Sequence, residues 1–393
     1  MKNKKIVRGK WDPMFFIAIL CMLAIGIIMV YSASYFAMGY QKDDPNSLII
    51  KELLFVTAGL GAAWVVSRIP HNAVRRLTFP IVIITFISYG LLYTPLGVRL
   101  YGGLRWVKLG TRTLTFMPSE LAKYAGILAI SYVRTMSKEE KAQKRWIYIF
   151  LCFTPLLFLA LTAIQPDYST TVLMAMCYIT VLFFSGLKVS VLVVLAGVGS
   201  VLGAFVLMLK GYRVARIQAW FDPFSDPLKG GYQIIQSLYA VASGGLMGSG
   251  IGSGKQKMLY LPLAYNDYIF SVYAEEMGFF GCMILLVILS ALVFRGFKIA
   301  SNAPDRFSTL MAGGIVAQIA LQSIMHMYVA VNLLPSTGIP FPIISYGGTS
   351  LVVTLMGMGF VLGVSRLENR KTPKAFDNVE NKNYYSLERR DRA

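Results

Sequence analysis

Asp267 is the side chain best placed for general-base chemistry. It closes the long segment 210–266 and opens an apolar run beginning at Tyr268. Its carboxylate therefore belongs at a membrane interface, within reach of a proton on a surface-bound substrate. Helix capping is the competing explanation for an aspartate at that position. Glu275 and Glu276 follow roughly 12–14 Å further along a continuous helix. At ~100° per residue, Glu275 lies within about 80° of Asp267 and Glu276 points the opposite way.

Glu120 and Lys123 stand one helical turn apart inside another apolar run. An unpaired charge there is expensive, so each either neutralises the other as structural glue or touches a polar cavity. Asp167 follows Gln165-Pro166 between two apolar runs, where it either polarises the same cavity or caps a helix. Two connecting segments are basic. Residues 94–117 carry Arg99, Arg105, Lys108 and Arg112 without an acid, and 210–266 carries Lys210, Arg213, Arg216, Lys229, Lys255 and Lys257 against Asp222 and Asp226. Arginine suits bidentate contact with phosphate oxygens, so these segments are expected to receive an anionic, phosphorylated ligand. Contact with anionic lipid headgroups is the alternative.

The elements that must position these residues are membrane helices. Of the 393 residues, 56% are hydrophobic and 15% charged, against about one-quarter charged for a soluble chain. The apolar residues fall in runs of about 20, the length that crosses a bilayer as helix, with no short alternating segments of a membrane barrel. The reading is an all-α polytopic membrane protein of about ten transmembrane helices near 13–33, 49–66, 75–93, 117–133, 146–163, 168–185, 189–209, 268–294, 307–331 and 345–365. Residues 1–12 form a cytoplasmic N-tail, 13–365 the membrane domain and 366–393 a cytoplasmic C-tail. Asp12 and Pro13 make a well-formed start to the first helix. The tails and alternate connections hold most of the 38 Lys and Arg, which puts both termini in the cytoplasm and segment 210–266 outside. The four cysteines fall one each in separate apolar runs and read as small buried hydrophobes.

Two segments are not simple connections. Within 210–266, Asp222-Pro223-Phe224-Ser225-Asp226-Pro227 is turn material, and the stretch from Gly231 to Ala240, with Gln233 and Gln236, mixes polar and apolar positions as a short interfacial helix does. The glycines from Gly244 to Gly254 do not form a Walker motif, because Ser249 and Gln256 stand where it needs Gly and Ser or Thr. They are expected to let backbone approach a membrane surface or ligand, with a flexible linker as the alternative. Segment 332–349 has three prolines and three glycines among apolar residues. Such backbone is tolerated at membrane depth where it lines a covered cavity. His71 and His326 have no metal-site spacing.

The chain resembles the SEDS family of FtsW, RodA and SpoVE proteins. The matching stretches are Gly103-Leu104-Arg105-Trp106, Pro118-Ser119-Glu120-Leu121-Ala122-Lys123, Gln165-Pro166-Asp167, Gly231-Tyr232-Gln233 with Gln236-Ser237, the glycine-rich 244–254, Asn266-Asp267-Tyr268 with Glu275-Glu276-Met277-Gly278, and Thr337-Gly338-Ile339-Pro340 with Ser345-Tyr346-Gly347-Gly348. The resemblance implies a peptidoglycan glycosyltransferase that polymerises lipid II at the outer face of the bacterial cytoplasmic membrane, at a septum or forespore membrane on the FtsW/SpoVE side. It implies partnership with a class B penicillin-binding protein and other wall-synthesis proteins, with no nucleic acid. Asp267 matches the family aspartate, although Leu263 and Tyr265 replace the Glu and His usual before it. On this reading Arg105, Glu120, Lys123, Asp167, Arg213, Arg216, Gln233, Gln236, Lys255, Lys257, Ser345 and Gly347 bind substrate or shape its cavity. No cofactor is required by the sequence; a divalent cation, Mg or Mn, near Asp267 is an open expectation. A lipid-linked oligosaccharide transporter and a non-enzymatic scaffold are the rival functions.

Overall fold

A computed structural model describes residues 9–367 apart from 41–43, 45, 101–102, 109, 111–114 and 209–210. Arg112 and Lys210 fall outside the described residues, as does the Arg213 side chain. The helices are α1 (Pro13–Tyr40), α2 (Ser47–Ser67), α3 (His71–Leu91), α4 (Pro118–Thr135), α5 (Lys138–Gln143), α6 (Arg145–Ile164), α7 (Tyr168–Phe184), α8 (Val189–Met208), α9 (Gly211–Phe221), α10 (Tyr232–Ser243), α11 (Ile269–Ser301), α12 (Arg306–Ala330) and α13 (Thr349–Ser365). Each of the predicted long apolar runs is one of these helices. Six of them, α1, α2, α3, α6, α11 and α12, are long and apolar enough to cross a membrane; α7, α13 and the described part of α8 are shorter apolar helices.

Helix starts follow local chemistry. Asp12 Oδ1 accepts from the Phe15 N–H at 2.9 Å, satisfying an orphan donor of α1, and Arg295 pairs with the same carboxylate. Ser137 and Glu140 form a reciprocal capping box on α5.

Helices α4 and α12 form the centre. Most of α4 is buried, including Glu120 and Lys123, and so is most of α12. Polar side chains are therefore tolerated there because protein rather than lipid surrounds them. Helix α4 packs on α3, α6, α7 and α12, while α13 lies along α2. That last contact is close because Gly359 lacks a side chain: a Cβ there would come within 2.6 Å of the Ala63 carbonyl oxygen.

A small antiparallel sheet, not foreseen in the sequence, precedes α4. Strand β1 (Gly97–Leu100) pairs with β2 (Gly103–Lys108), which pairs with β3 (Thr115–Phe116), with an irregularity between Val98 and Arg99. Val107 is its buried anchor. The Thr349 hydroxyl donates to the Thr115 carbonyl at 3.1 Å, joining the sheet to the start of α13. Among the cysteines, only Cys177 is buried and Cys152 is exposed, so the expectation of four buried hydrophobes is corrected. An exposed cysteine on an apolar helix is compatible with a lipid-facing surface.

Candidate active site

The sheet, α4, the start of α7, segment 332–349 and the start of α13 enclose a cavity of about 280 Å³. Its lining includes Arg105, Glu120, Lys123, Asp167 and Gly347 among the sequence-predicted residues, together with Trp106, Asn266, Gly338 and Ser350.

Glu120 and Lys123 form an ion pair at 2.8 Å, as their one-turn spacing predicts. Ser350 donates to Glu120 Oε2 at 2.6 Å, and Lys123 donates to Gln322 Oε1 at 3.0 Å. Gln322 in turn donates to the Pro340 carbonyl at 2.8 Å, so the pair also tethers the irregular segment 332–349. Gln318 donates to Gln322 at 3.0 Å. This glutamine pair was missed, although two amides four residues apart on an apolar helix are a legible sign of a buried polar seam.

Asp167 does cap α7, accepting from the Thr170 N–H at 3.4 Å. It also faces Arg105 at 3.7 Å, while the Arg105 guanidinium donates to the Gln165 and Pro166 carbonyls. Burial raises the Asp167 carboxyl above its ordinary value, with Arg105 and the Thr170 contacts opposing. Capping and cavity roles thus coexist in one side chain. Its Oδ2 is buried without a hydrogen-bond partner among the described residues.

Asp267 stands at the rim. Its neighbours Asn266 and Gly338 line the cavity, and its Oδ2 lies 3.5 Å from where a Cβ on Gly338 would be. Capping does not account for it: Tyr268 occupies the N-cap position of α11 and no side chain caps there. Burial pushes the Asp267 carboxyl up to about 6, opposed by the positive charge of Arg216. That value suits a group that must accept a proton near neutrality. Ser345 accepts from the Phe341 N–H at 2.8 Å and donates to the Asn266 carbonyl at 2.7 Å. It is thus a fastening between segment 332–349 and the Asp267 loop.

The remaining predicted residues are not brought into this cavity. Gln233 and Gln236 are half-buried on α10 and do not line it. Lys255 is exposed, and its side chain stands apart from the lining. Lys257 turns inward: its ammonium meets Glu276 Oε1 at 2.5 Å and Ser32 Oγ at 2.6 Å, with 2% of the residue exposed. Among the described residues, no group of three or more His, Cys, Asp or Glu could hold a metal ion.

The glycine-rich stretch packs its backbone against α11. Helix α11 is broken at Gly278, whose φ is 64° and ψ −166°. Into the break the loop sends backbone bonds, Ser249 N–H to Glu275 O at 2.9 Å, Gly250 N–H to Glu276 O at 3.0 Å, and Phe279 N–H to Gly245 O at 2.9 Å. Glycine is required at Gly248, where φ is 78° and a Cβ would lie 2.2 Å from the Glu276 carbonyl oxygen. A flexible linker is therefore the wrong description.

The chain matches the cell cycle protein family FtsW/RodA/SpoVE over residues 12–370. It belongs to that family. Stage V sporulation protein E of Bacillus subtilis is 36% identical over 360 residues, 90% of this chain and 97% of the relative. A probable peptidoglycan glycosyltransferase FtsW of Trichlorobacter lovleyi is 34% identical over 366 residues, 91% of this chain and 93% of its own length. Among solved structures, a chain of a peptidoglycan synthase complex that coordinates polymerization and crosslinking superposes with a TM-score of 0.74 at 26% identity, covering 92% of this chain and 99% of that one. The rod shape determining protein RodA of Thermus thermophilus gives 0.66 at 25% identity, covering 92% and 98%. The FtsW/RodA/SpoVE match spans all the elements that build the cavity.

Proposed function

We propose that this chain is a peptidoglycan glycosyltransferase that polymerises lipid II at the outer face of the bacterial cytoplasmic membrane. The observation that carries the reading is Asp267: a part-buried carboxylate, free of capping duty, beside Arg216 and at the rim of a polar cavity. The relatives named as glycosyltransferases and the likeness to a peptidoglycan synthase complex support the same activity.

In the proposed step the acceptor sugar's 4-hydroxyl attacks the anomeric carbon of the donor. Its proton passes to the Asp267 carboxylate, and the anomeric C–O bond breaks with its electron pair leaving on undecaprenyl pyrophosphate, inverting the centre. A leaving pyrophosphate needs no strong protonating acid, so one carboxylate suffices. Arg216 favours the ionised base and is placed to stabilise negative charge growing nearby. Among the described residues no group of three or more His, Cys, Asp or Glu stands at the site, so a divalent cation there would draw most of its ligands from the substrate's pyrophosphate and water.

With α4, α7, α8 and α13 added to the six long apolar helices, the chain crosses the membrane ten times with both termini inside. A class B penicillin-binding protein is the proposed partner, by likeness to the synthase complex. The test is purified protein with lipid II. Glycan chains from wild type and none from a folded Asp267→Ala variant are expected; lipid scrambling by both without polymer would replace this reading by transport, and neither activity would leave a scaffold.

A further inference from the structure

Glu275 and Glu276 are consecutive, yet both carboxylates engage the loop that leads to Asp267. They stay about 100° apart on the last turn before the break at Gly278, and the loop wraps around that turn so that it meets both. Glu275 Oε1 accepts from the Lys255 N–H at 2.6 Å and the Gln256 N–H at 3.2 Å. Glu276 accepts from the Gly252 N–H at 3.1 Å, from Ser32 Oγ at 2.7 and 2.9 Å, and from the Lys257 ammonium. Gly254 leaves room for both, since a Cβ there would lie 2.9 Å from Glu275 Oε2 and 3.1 Å from Glu276 Oε1.

We infer that Glu276, latched to Lys257 and to Ser32 of α1, is a positioning residue that holds Asp267 at the rim of the cavity. This rests on the proposed role of Asp267. From the latch the chain runs to Asp267 through linked turns: Met258 N–H to Lys255 O at 3.0 Å, Leu261 N–H to Gln256 O at 2.8 Å, and Asp267 N–H to Leu263 O at 3.0 Å. Leu259 and Leu263 are held at φ 70° and 53°, a conformation that leucine adopts only when its surroundings impose it. At the far end Tyr346 N–H donates to the Tyr265 carbonyl at 3.0 Å and Ser345 to that of Asn266. The run of turns from 258 to 267 is therefore held between two fastenings, the latch on α1 and α11 and the contacts of segment 341–346. Releasing the first lets a strained run relax and moves the base relative to its substrate.

A single Glu276→Ala change strands a buried ammonium and can unfold the protein outright. The test therefore uses the joint Lys257→Met, Glu276→Leu variant, which removes both charges in similar volume, and Ser32→Ala, which leaves the ion pair intact. Polymerisation of lipid II and backbone hydrogen exchange are measured on the same purified preparations. The joint variant is expected to keep its KM and lose kcat by ~100-fold, the scale of a base misplaced by about an ångström. The amides of Leu261, Asn266 and Asp267 should exchange faster, with Ser32→Ala shifting both readouts less in the same direction. Wild-type kcat with unchanged exchange in the joint variant would overturn the inference. If wild-type protein makes no glycan, the proposed role of Asp267 fails by itself, and exchange then decides the latch: faster exchange at 261–267 supports it and unchanged exchange overturns it.

Discussion

Glu120 and Lys123 meet at 2.8 Å with side chains 6% and 1% exposed, and each is held by a different helix, Ser350 of α13 on the acid and Gln322 of α12 on the base. The pair is a junction of three helices as well as part of the cavity wall. Removing one partner leaves a buried charge alone, which costs ~3–5 kcal/mol, whereas removing both together costs much less. Lys123→Met should therefore lower the thermal midpoint of the detergent-solubilised protein sharply, and Glu120→Leu, Lys123→Met together should recover most of it. Equal destabilisation by the single and joint variants would argue against a coupled pair.

Asp267 predicts a pH profile. A base whose carboxyl sits at about 6 must be ionised to act, so kcat/KM should rise with pH through about 6 and then level. Arg216 opposes the upward push, so Arg216→Gln should move this acid limb to higher pH. A limb that stays in place in that variant would mean that Arg216 does not act on the base electrostatically.

The same carboxylate carries a stability cost. Its folded value of about 6 exceeds the ordinary 3.8, so its contribution favours the folded state below 3.8 and is lost as pH rises through about 6. At pH 7.5 Asp267→Asn should consequently be inactive yet more stable than wild type, by ~1–3 kcal/mol for a shift of about two units in a part-buried group. Thermal unfolding at pH 4 and pH 7.5 checks this, since the gain should shrink at the lower pH.

Glu52 on α2 is 1% exposed, and its Oε2 has no hydrogen-bond partner among the described residues. No ion pair in the described structure compensates it, unlike Glu120 or Glu276. An amide of the same shape carries no charge to desolvate, which offsets the cost of its own unpaired N–H groups, so Glu52→Gln should keep activity and leave stability equal or higher by up to ~1–3 kcal/mol. A clear drop in the thermal midpoint would mean that the carboxylate has a partner of its own.

What the sequence made legible follows from period and cost. Long apolar runs have one cheap solution in a bilayer, and each became a helix; charges inside them have few affordable neighbours, so Glu120 with Lys123 could be paired from spacing alone. What the sequence hides is how a loop packs and where a charged stem points. Helical arithmetic spaces Glu275 and Glu276 about a helix, but it does not show that one loop wraps the turn ahead of Gly278 and gives both glutamates the same partner segment. Lys257 reads as part of a basic surface from charge alone, yet its stem points inward to Glu276 and Ser32. The sheet over 97–116 was illegible because its strands are short and irregular, although it is what carries Arg105 to the cavity.

The glycine loop offers a graded test of packing against strain. A Cβ on Gly248 would overlap the Glu276 carbonyl at 2.2 Å and also meet a φ of 78°, and its three nearest atoms are all backbone, which cannot yield cheaply. Gly245 has a φ of 52° but nothing within 4 Å of its Cβ, and Gly61 of α2 has open space and helical backbone. Gly61→Ala should therefore be neutral or stabilising by up to ~1 kcal/mol, through helix propensity. Gly245→Ala should cost ~1–2 kcal/mol for the left-handed backbone alone. Gly248→Ala should cost several times more, because the loop must lift off α11 and take the Glu275 and Glu276 contacts with it. Thermal midpoints of the three variants in one detergent give the ranking, and a Gly248→Ala protein as stable as Gly245→Ala would show that the loop is not clamped at the break in α11.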